Sequence, residues 1–317
     1  ETIKETIDVL NKEGYHVGLL EVHLYRPFSK EYFLKNIPEM VQKVAVLDRT
    51  KEPGSNGEPL YLDVANILKE KGIYVVGGRY GLSSKNTTPS DIYSVFKMLD
   101  TSLKDNFTVG IDDDVTNLSL EKVNYKLNLD AKEILIYGFG SDGMVSASKD
   151  ILTLALTKLD KYGDGYFEYD SKKSGGITVS NLRIKNREFY SPFYVTHPDL
   201  VVVTKDEYFK KFDMLNTIRE NGILLINTTD KHLLNEKISK KDKEIIREKN
   251  VKVLTINASA LAEESKIKGK INKIMEVIIL KLIGIENALE IVLTTIEESF
   301  KTKGTEVIEN NQSAVKK

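Results

Sequence analysis

No cysteine occurs in the 317 residues, which excludes disulfides, a thiolate nucleophile and thiolate-ligated iron–sulfur clusters within this chain. The absence fits a reducing interior, and the expected location is cytoplasmic. An excess of charge is also lacking: Lys plus Arg is 46, Asp plus Glu is 47 and the net charge is -1. There is therefore no global positive field to hold nucleic acid or an anionic membrane. Long hydrophobic runs are missing too. The greasiest stretch, VIILKLIGI at 277–285, is broken by Lys281 and Gly284 and falls short of the roughly 20 residues of a membrane span. The four histidines, His16, His23, His197 and His232, are scattered and form no HExxH-type pair, so no metal site is expected. The chain starts at Glu1 with neither an initiator methionine nor a targeting segment, and is expected to be a piece of something longer.

What is present is an ordinary globular composition, 41% hydrophobic and 29% charged, at a length that suggests about two domains. The first hundred residues alternate apolar runs with helical patterns. VGLLEVHL (17–24), KVAVLD (43–48) and YVVGG (74–78) read as strands, and a helix over 59–71 carries Leu60, Val64, Ile67 and Leu68 on one stripe. Thr88, Pro89 and Asp91 form a helix start: a cap, a proline at the first position and an acid in the first turn. Residues 101–130 are poorer in periodicity and read as a connection. Their Asp112, Asp113 and Asp114 are taken as solvated rather than as cation ligands.

A second alternation begins at Glu133. Strands are expected at ILIYG (134–138), GYFEYD (165–170), DLVVVTK (199–205), GILLIN (222–227) and VKVLTIN (251–257). Helices are expected over 144–159, 206–220, 240–249, 267–283 and 286–303, with a polar tail that frays or docks elsewhere. Strand–helix alternation of this kind predicts an α/β chain of two consecutive α/β domains with mainly parallel sheets.

Gly138, Gly140 and Gly143 are spaced G-x-G-x-x-G after an expected strand and at the start of an expected helix. In that context the unpaired amides of the first turn and the helix dipole favour a phosphate, and Ser141 adds a hydroxyl. A plain strand-to-helix turn needing positive φ explains the same glycines. In a dinucleotide fold an acid about 20 residues beyond the glycines, at the end of the second strand, grips the ribose. Here Glu168 and Asp170 end that strand slightly late and are followed at once by SKKSGG. Two lysines there suit an extra phosphate on that ribose, although a solvated basic turn also accounts for them. NADP and coenzyme A both combine adenosine, a pyrophosphate and a further ribose phosphate, and local physics leaves both open.

VGLLEVHLYRPFS, VAVLDRTKEPGSNGEPLYLDV, GGRYGLSSKNTTP, FTVGIDDDVTNLSL, YGFGSDGMVSASK and YFEYDSKKSGGITVSNLR stand in the order and spacing of pyruvate:ferredoxin (flavodoxin) oxidoreductases. The resemblance runs from about residue 15 to 230 and continues more loosely through the 267–303 helices. It implies a middle segment of a much longer chain: a transketolase C-terminal-like domain over 1–105, a linker over 106–130, and a Rossmann-like gamma-type 2-oxoacid oxidoreductase domain over 131–317. That family decarboxylates pyruvate on thiamine diphosphate with magnesium, passes electrons through [4Fe–4S] clusters to ferredoxin or flavodoxin, and forms acetyl-CoA. Those cofactors are implied for the remaining domains, with no catalytic residue on this chain.

For this segment the resemblance implies coenzyme A binding. The family's loop falls on Gly140, Ser141, Asp142 and Gly143, and its basic turn on Lys172, Lys173, Ser174, Gly175 and Gly176. Met144 stands where the family often has threonine or a similar small residue. Asn227, at the end of the GILLIN strand, is added from its position near the switch of the sheet. A homodimer is implied, with 49–59 as a contact loop or a simple turn. Two other readings stay open: a nicotinamide-dependent reductase using the same loop for NADP, and a structural interdomain module without a ligand. In a fused variant the electron acceptor would itself be NADP.

Overall fold

The computed structural model describes residues 1–140, 142–169, 176–189, 191–267 and 269–317, and for Lys231, Leu233 and Leu234 the backbone alone. The chain divides into two compact units. One comprises Glu1–Leu129 together with a short stretch ending at Phe193, and the other Asp130–Phe189 with Tyr194–Lys317.

In the first unit, α1 (Thr2–Lys12) and α2 (Lys30–Lys35) precede β1 (Lys43–Asp48), α3 (Pro59–Leu68), β2 (Tyr74–Arg79), α4 (Pro89–Thr101) and β3 (Phe107–Thr108). The strands form one parallel sheet in the order β1-β2-β3. Helix α3 lacks a side-chain cap of its own. Its first amides are met instead by Asp48 at the end of β1, whose carboxylate accepts from Leu60 N at 3.2 Å and Tyr61 N at 3.1 Å. Helix α4 has the capping box that Thr88 and Asp91 announce. Residues 17–24, expected as a strand, join no ladder, and 107–108 of the expected connection become β3, with Phe107 fully buried.

The second unit runs β4 (Lys132–Phe139), α5 (Met144–Lys158), β5 (Tyr162–Tyr169), β6 (Ile177–Lys185), β7 (Leu200–Val203), β8 (Ile223–Asn227), α6 (Lys231–Lys237), α7 (Lys240–Glu248), β9 (Lys252–Ile256), α8 (Ala258–Glu264), α9 (Asn272–Leu282), α10 (Ala288–Phe300) and α11 (Thr305–Lys316). Among the described residues the sheet order is β5-β6-β4-β7-β8-β9. From β4 to β9 the pairing is parallel, whereas β6 is antiparallel to both β4 and β5.

Both faces of the parallel half are covered, which is why its strands are near-continuous apolar runs. Alternate residues divide between two cores. Ile134, Ile136, Leu200 and Val202 pack with α5, α8, α9 and α10, while Leu135, Val201 and Val203 pack with Tyr208, Phe209, Leu215 and Ile218. At the edge where parallel β4 and β7 begin and antiparallel β6 ends, Glu133 ties these strands together. Its carboxylate takes Arg183 Nε at 2.7 Å and Arg219 Nη2 at 2.5 Å, and its amide donates to Asp199 Oδ2 at 2.8 Å. Arg183 is 2% exposed.

Three expectations are corrected here. The stretch 206–220 is not a helix beyond a 3-10 turn at Asp206–Lys210; Phe209, Met214, Leu215 and Ile218 mimic a helical spacing but enter the core from irregular backbone. The helix expected over 267–283 begins at Asn272, beyond Gly269 with its φ of 79°. The polar tail does not fray. It forms α11, whose Ile308, Ala314 and Val315 pack on the core that α10 also lines.

Candidate functional site

The glycine loop lies between β4 and α5, at the C-terminal end of the strand flanked by antiparallel β6 and parallel β7. In an open α/β sheet a ligand crevice forms at such a reversal of strand order. The loop is built around one carboxylate. Asp142 Oδ2 accepts from Phe139 N at 2.7 Å and from the Thr204 hydroxyl at 2.9 Å, and its Oδ1 accepts from Met144 N at 2.9 Å. Asp142 therefore caps α5 from inside the loop, where the dipole welcomes negative charge. Gly140 N donates to Gly176 O at 3.1 Å, which brings the two glycine-rich stretches together at that point.

Two glycines answer to packing and backbone. A Cβ on Gly138 would stand 2.9 Å from Thr178 Oγ1 and 3.1 Å from Met144 Cβ. Gly143 has a φ of 85°, a left-handed conformation that L side chains rarely adopt, and a Cβ there would meet Asn272 at 3.1 Å. Met144 is 1% exposed and its side chain belongs to the core on the inside of the turn.

The segment after β7 grips the loop at three points. Besides the Thr204 bond, the Tyr208 hydroxyl donates to Gly138 O at 3.3 Å, and the Lys205 ammonium sits 3.4 Å from the centroid of the Phe139 ring. Burial pushes the Tyr208 phenol up to about 12, with the charge of Asp142 adding to it. Asp206 faces elsewhere, accepting from Lys237 Nζ at 2.6 Å and from the Thr228 hydroxyl at 2.5 Å. Burial alone would raise its carboxyl, but those two partners outweigh it and hold it below its ordinary value.

Asn227 is 7% exposed and braces the same edge. Its amide nitrogen donates to Thr204 O at 3.1 Å and Ser259 Oγ at 3.2 Å, and its oxygen accepts from Ala258 N at 2.9 Å. Of the residues singled out from sequence, Gly138, Gly140, Asp142, Gly143, Gly176 and Asn227 stand around this edge; Ser141, Lys172, Lys173, Ser174 and Gly175 lie outside the described residues.

The strand that carries the expected ribose acids does not lie beside β4, as the second strand of a dinucleotide fold would. Strand β5, reached through α5, is the sheet's edge strand, two places from β4 with antiparallel β6 between them; Glu168 on it accepts from Asn181 Nδ2 at 2.9 Å, and Asp170 lies outside the described residues. Residue spacing counts positions along the chain, whereas neighbourhood in the sheet depends on the direction in which β6 returns. Thr204, Lys205 and Tyr208 went unread as site residues. Their signal was present, because residues just past a central parallel strand are where such crevices take their side chains.

Residues 133–317 match the family described as pyruvate ferredoxin/flavodoxin oxidoreductase, and residues 1–92 match the pyruvate:ferredoxin oxidoreductase core domain II. Pyruvate:ferredoxin oxidoreductase of Moorella thermoacetica is 40% identical across 99% of the chain, which covers 28% of that protein. Pyruvate-flavodoxin oxidoreductase of Klebsiella pneumoniae is 39% identical over the same shares. A crystal structure of a pyruvate oxidoreductase subunit from Thermotoga maritima superposes with a TM-score of 0.48 at 27% identity, over 59% of this chain and 93% of that one. The chain thus spans little more than a quarter of the length of the curated relatives it matches. With the first of these families matched over more than half of its residues, the chain belongs to the pyruvate ferredoxin/flavodoxin oxidoreductases.

Proposed function

We propose that this chain is the coenzyme A-binding segment of a pyruvate:ferredoxin oxidoreductase, with the ligand's phosphates at the β4–α5 loop. The observation that carries the reading is the placement of that loop. It closes a central parallel strand at the reversal of strand order, in a chain of this family, with a lysine ammonium beside it. Asp142 and Gly176 O satisfy several loop amides, so the loop supplies a rigid rim, and the adjoining cations supply charge complementarity. Lys172 and Lys173 meet the ribose phosphate in this reading, with Ser141, Ser174 and Gly175 completing the turn.

The whole protein oxidatively decarboxylates pyruvate, forms acetyl-CoA and hands the electrons to ferredoxin or flavodoxin. Thiamine diphosphate, magnesium and the [4Fe–4S] clusters belong to its other domains; the lack of cysteine in this chain agrees with that division. The 1–105 domain contributes interdomain packing and homodimer contacts, the 49–59 loop among them, and the protein works in the cytoplasm.

The test is calorimetry on this chain, titrating coenzyme A and NADPH separately at one fixed salt concentration, because phosphate contacts are screened. Saturable coenzyme A binding that weakens in a Lys172→Ala/Lys173→Ala variant is expected. Tight NADPH binding with no response to coenzyme A would overturn the reading in favour of a nicotinamide-dependent reductase. Pyruvate and thiamine diphosphate added to the chain alone should give no carbon dioxide; turnover would refute its role as a segment without a catalytic residue.

A further inference from the structure

We infer that Lys205, held by Phe139, is the specificity-determining cation for the pyrophosphate of the ligand at the β4–α5 loop, an inference that rests on the coenzyme A reading above. A phosphate-binding loop with a carboxylate at its centre has an electrostatic problem. Asp142 already occupies the anion-favouring position at the start of α5, accepting from Phe139 N and Met144 N, and its charge opposes an incoming diphosphate. A cation must stand at the loop to reverse that sign. Lys205 does so: it is exposed, its ammonium lies 3.4 Å from the ring centroid of the middle residue of Gly138-Phe139-Gly140, and among the described residues it forms no ion pair.

Its position is built rather than incidental. Thr204, immediately before it, is bonded to Asp142, and Tyr208, one turn later, is bonded to Gly138 O, so the backbone carrying Lys205 is fixed to the loop on both sides. The neighbouring carboxylates of Asp206 and Glu207 both pair with Lys237, Asp206 also accepting from Thr228, so neither forms an ion pair with Lys205. Holding the ammonium over an aromatic ring restricts the flexible side chain before a phosphate engages it.

The test compares coenzyme A, dephospho-coenzyme A and pantetheine by calorimetry on the wild-type chain and on Lys205→Met and Lys205→Arg variants. Methionine keeps the apolar stem over Phe139 and removes only the charge. Lys205→Met is expected to bind coenzyme A and dephospho-coenzyme A about tenfold more weakly, as for the loss of one charge-assisted phosphate contact, with pantetheine unaffected. Lys205→Arg should stay within about threefold of wild type, since the charge is retained. Because the side chain is exposed, thermal unfolding of both variants should match wild type. Unchanged coenzyme A affinity in Lys205→Met overturns this inference and leaves the coenzyme A reading standing. Weakening for coenzyme A but not for its dephospho form also overturns it, by placing Lys205 at the ribose phosphate. No binding of coenzyme A to the wild-type chain overturns the reading on which it rests.

Discussion

Replacing Asp142 by alanine tests whether the glycine loop is held by its own carboxylate. Three donors lose their acceptor: Phe139 N at 2.7 Å, Met144 N at 2.9 Å and the Thr204 hydroxyl at 2.9 Å. Each bond to an ionised acceptor contributes on the order of 1.5 to 3 kcal/mol net. The charge at the first turn of α5 adds roughly 0.5 kcal/mol. Because Asp142 is only half-buried, water reaches part of the vacated space, and the expected loss is about 3 kcal/mol rather than the full sum. Asp142→Asn keeps one carbonyl acceptor and should lose about 1 to 2 kcal/mol. Urea unfolding followed by far-ultraviolet circular dichroism measures both. A loss below about 1 kcal/mol for alanine, or asparagine costing more than alanine, would refute the view that this carboxylate organises the loop.

At the opposite end of the sheet, Glu133→Ala leaves the buried Arg183 guanidinium without its carboxylate and should cost about 3 to 5 kcal/mol by the same assay, with Glu133→Gln milder. Gly143→Ala forces a side chain to a φ of 85° against Asn272 and should cost about 1 to 2 kcal/mol; an unchanged unfolding midpoint would contradict the left-handed cap. The Glu276 carboxyl is fully buried on α9, and burial pushes it from an ordinary 4.5 up to about 7 against the pull of Lys273 2.9 Å away. Between those values the folded state holds a proton that the unfolded chain has released, so this group makes stability fall as pH rises from 4.5 to 7. Urea midpoints at pH 5 and pH 8 should show that decline, and Glu276→Gln should reduce it.

Much of the second unit was legible because its parallel strands are buried on both faces and read as apolar runs such as LVVV. The junction of β4 and α5 was legible too, since glycines between a strand and a helix have few other uses. Antiparallel β6 was not, although ITVSNLRIK has the β-branched residues of a strand and pairs locally with β5; its insertion between β5 and β4 rests on a ladder to β4, 38 or more residues earlier at every rung. The same nonlocality hid what the site residues do. Asp142 and Asn227 were read as ligand contacts, and a sequence displays their polar atoms without naming Thr204 or Ala258 as the groups that use them. Helical spacing at Phe209, Met214 and Ile218 misled for a related reason: burial periodicity reports which residues face a core, and an irregular segment can satisfy it as well as a helix.

The Glu133 cluster has a bearing on how this domain can change over evolutionary time. It fastens the starts of β4 and β7 and the approach to β8 to the end of antiparallel β6, at the edge of the sheet remote from the glycine loop. Cohesion is thus anchored at the rim opposite the proposed coenzyme A site. On the coenzyme A reading, residues such as Lys205 can vary and retune which phosphate ester is admitted without a penalty at the fastening. Drift at the Glu133 rim has no such latitude, because each partner there leaves a stranded charge behind.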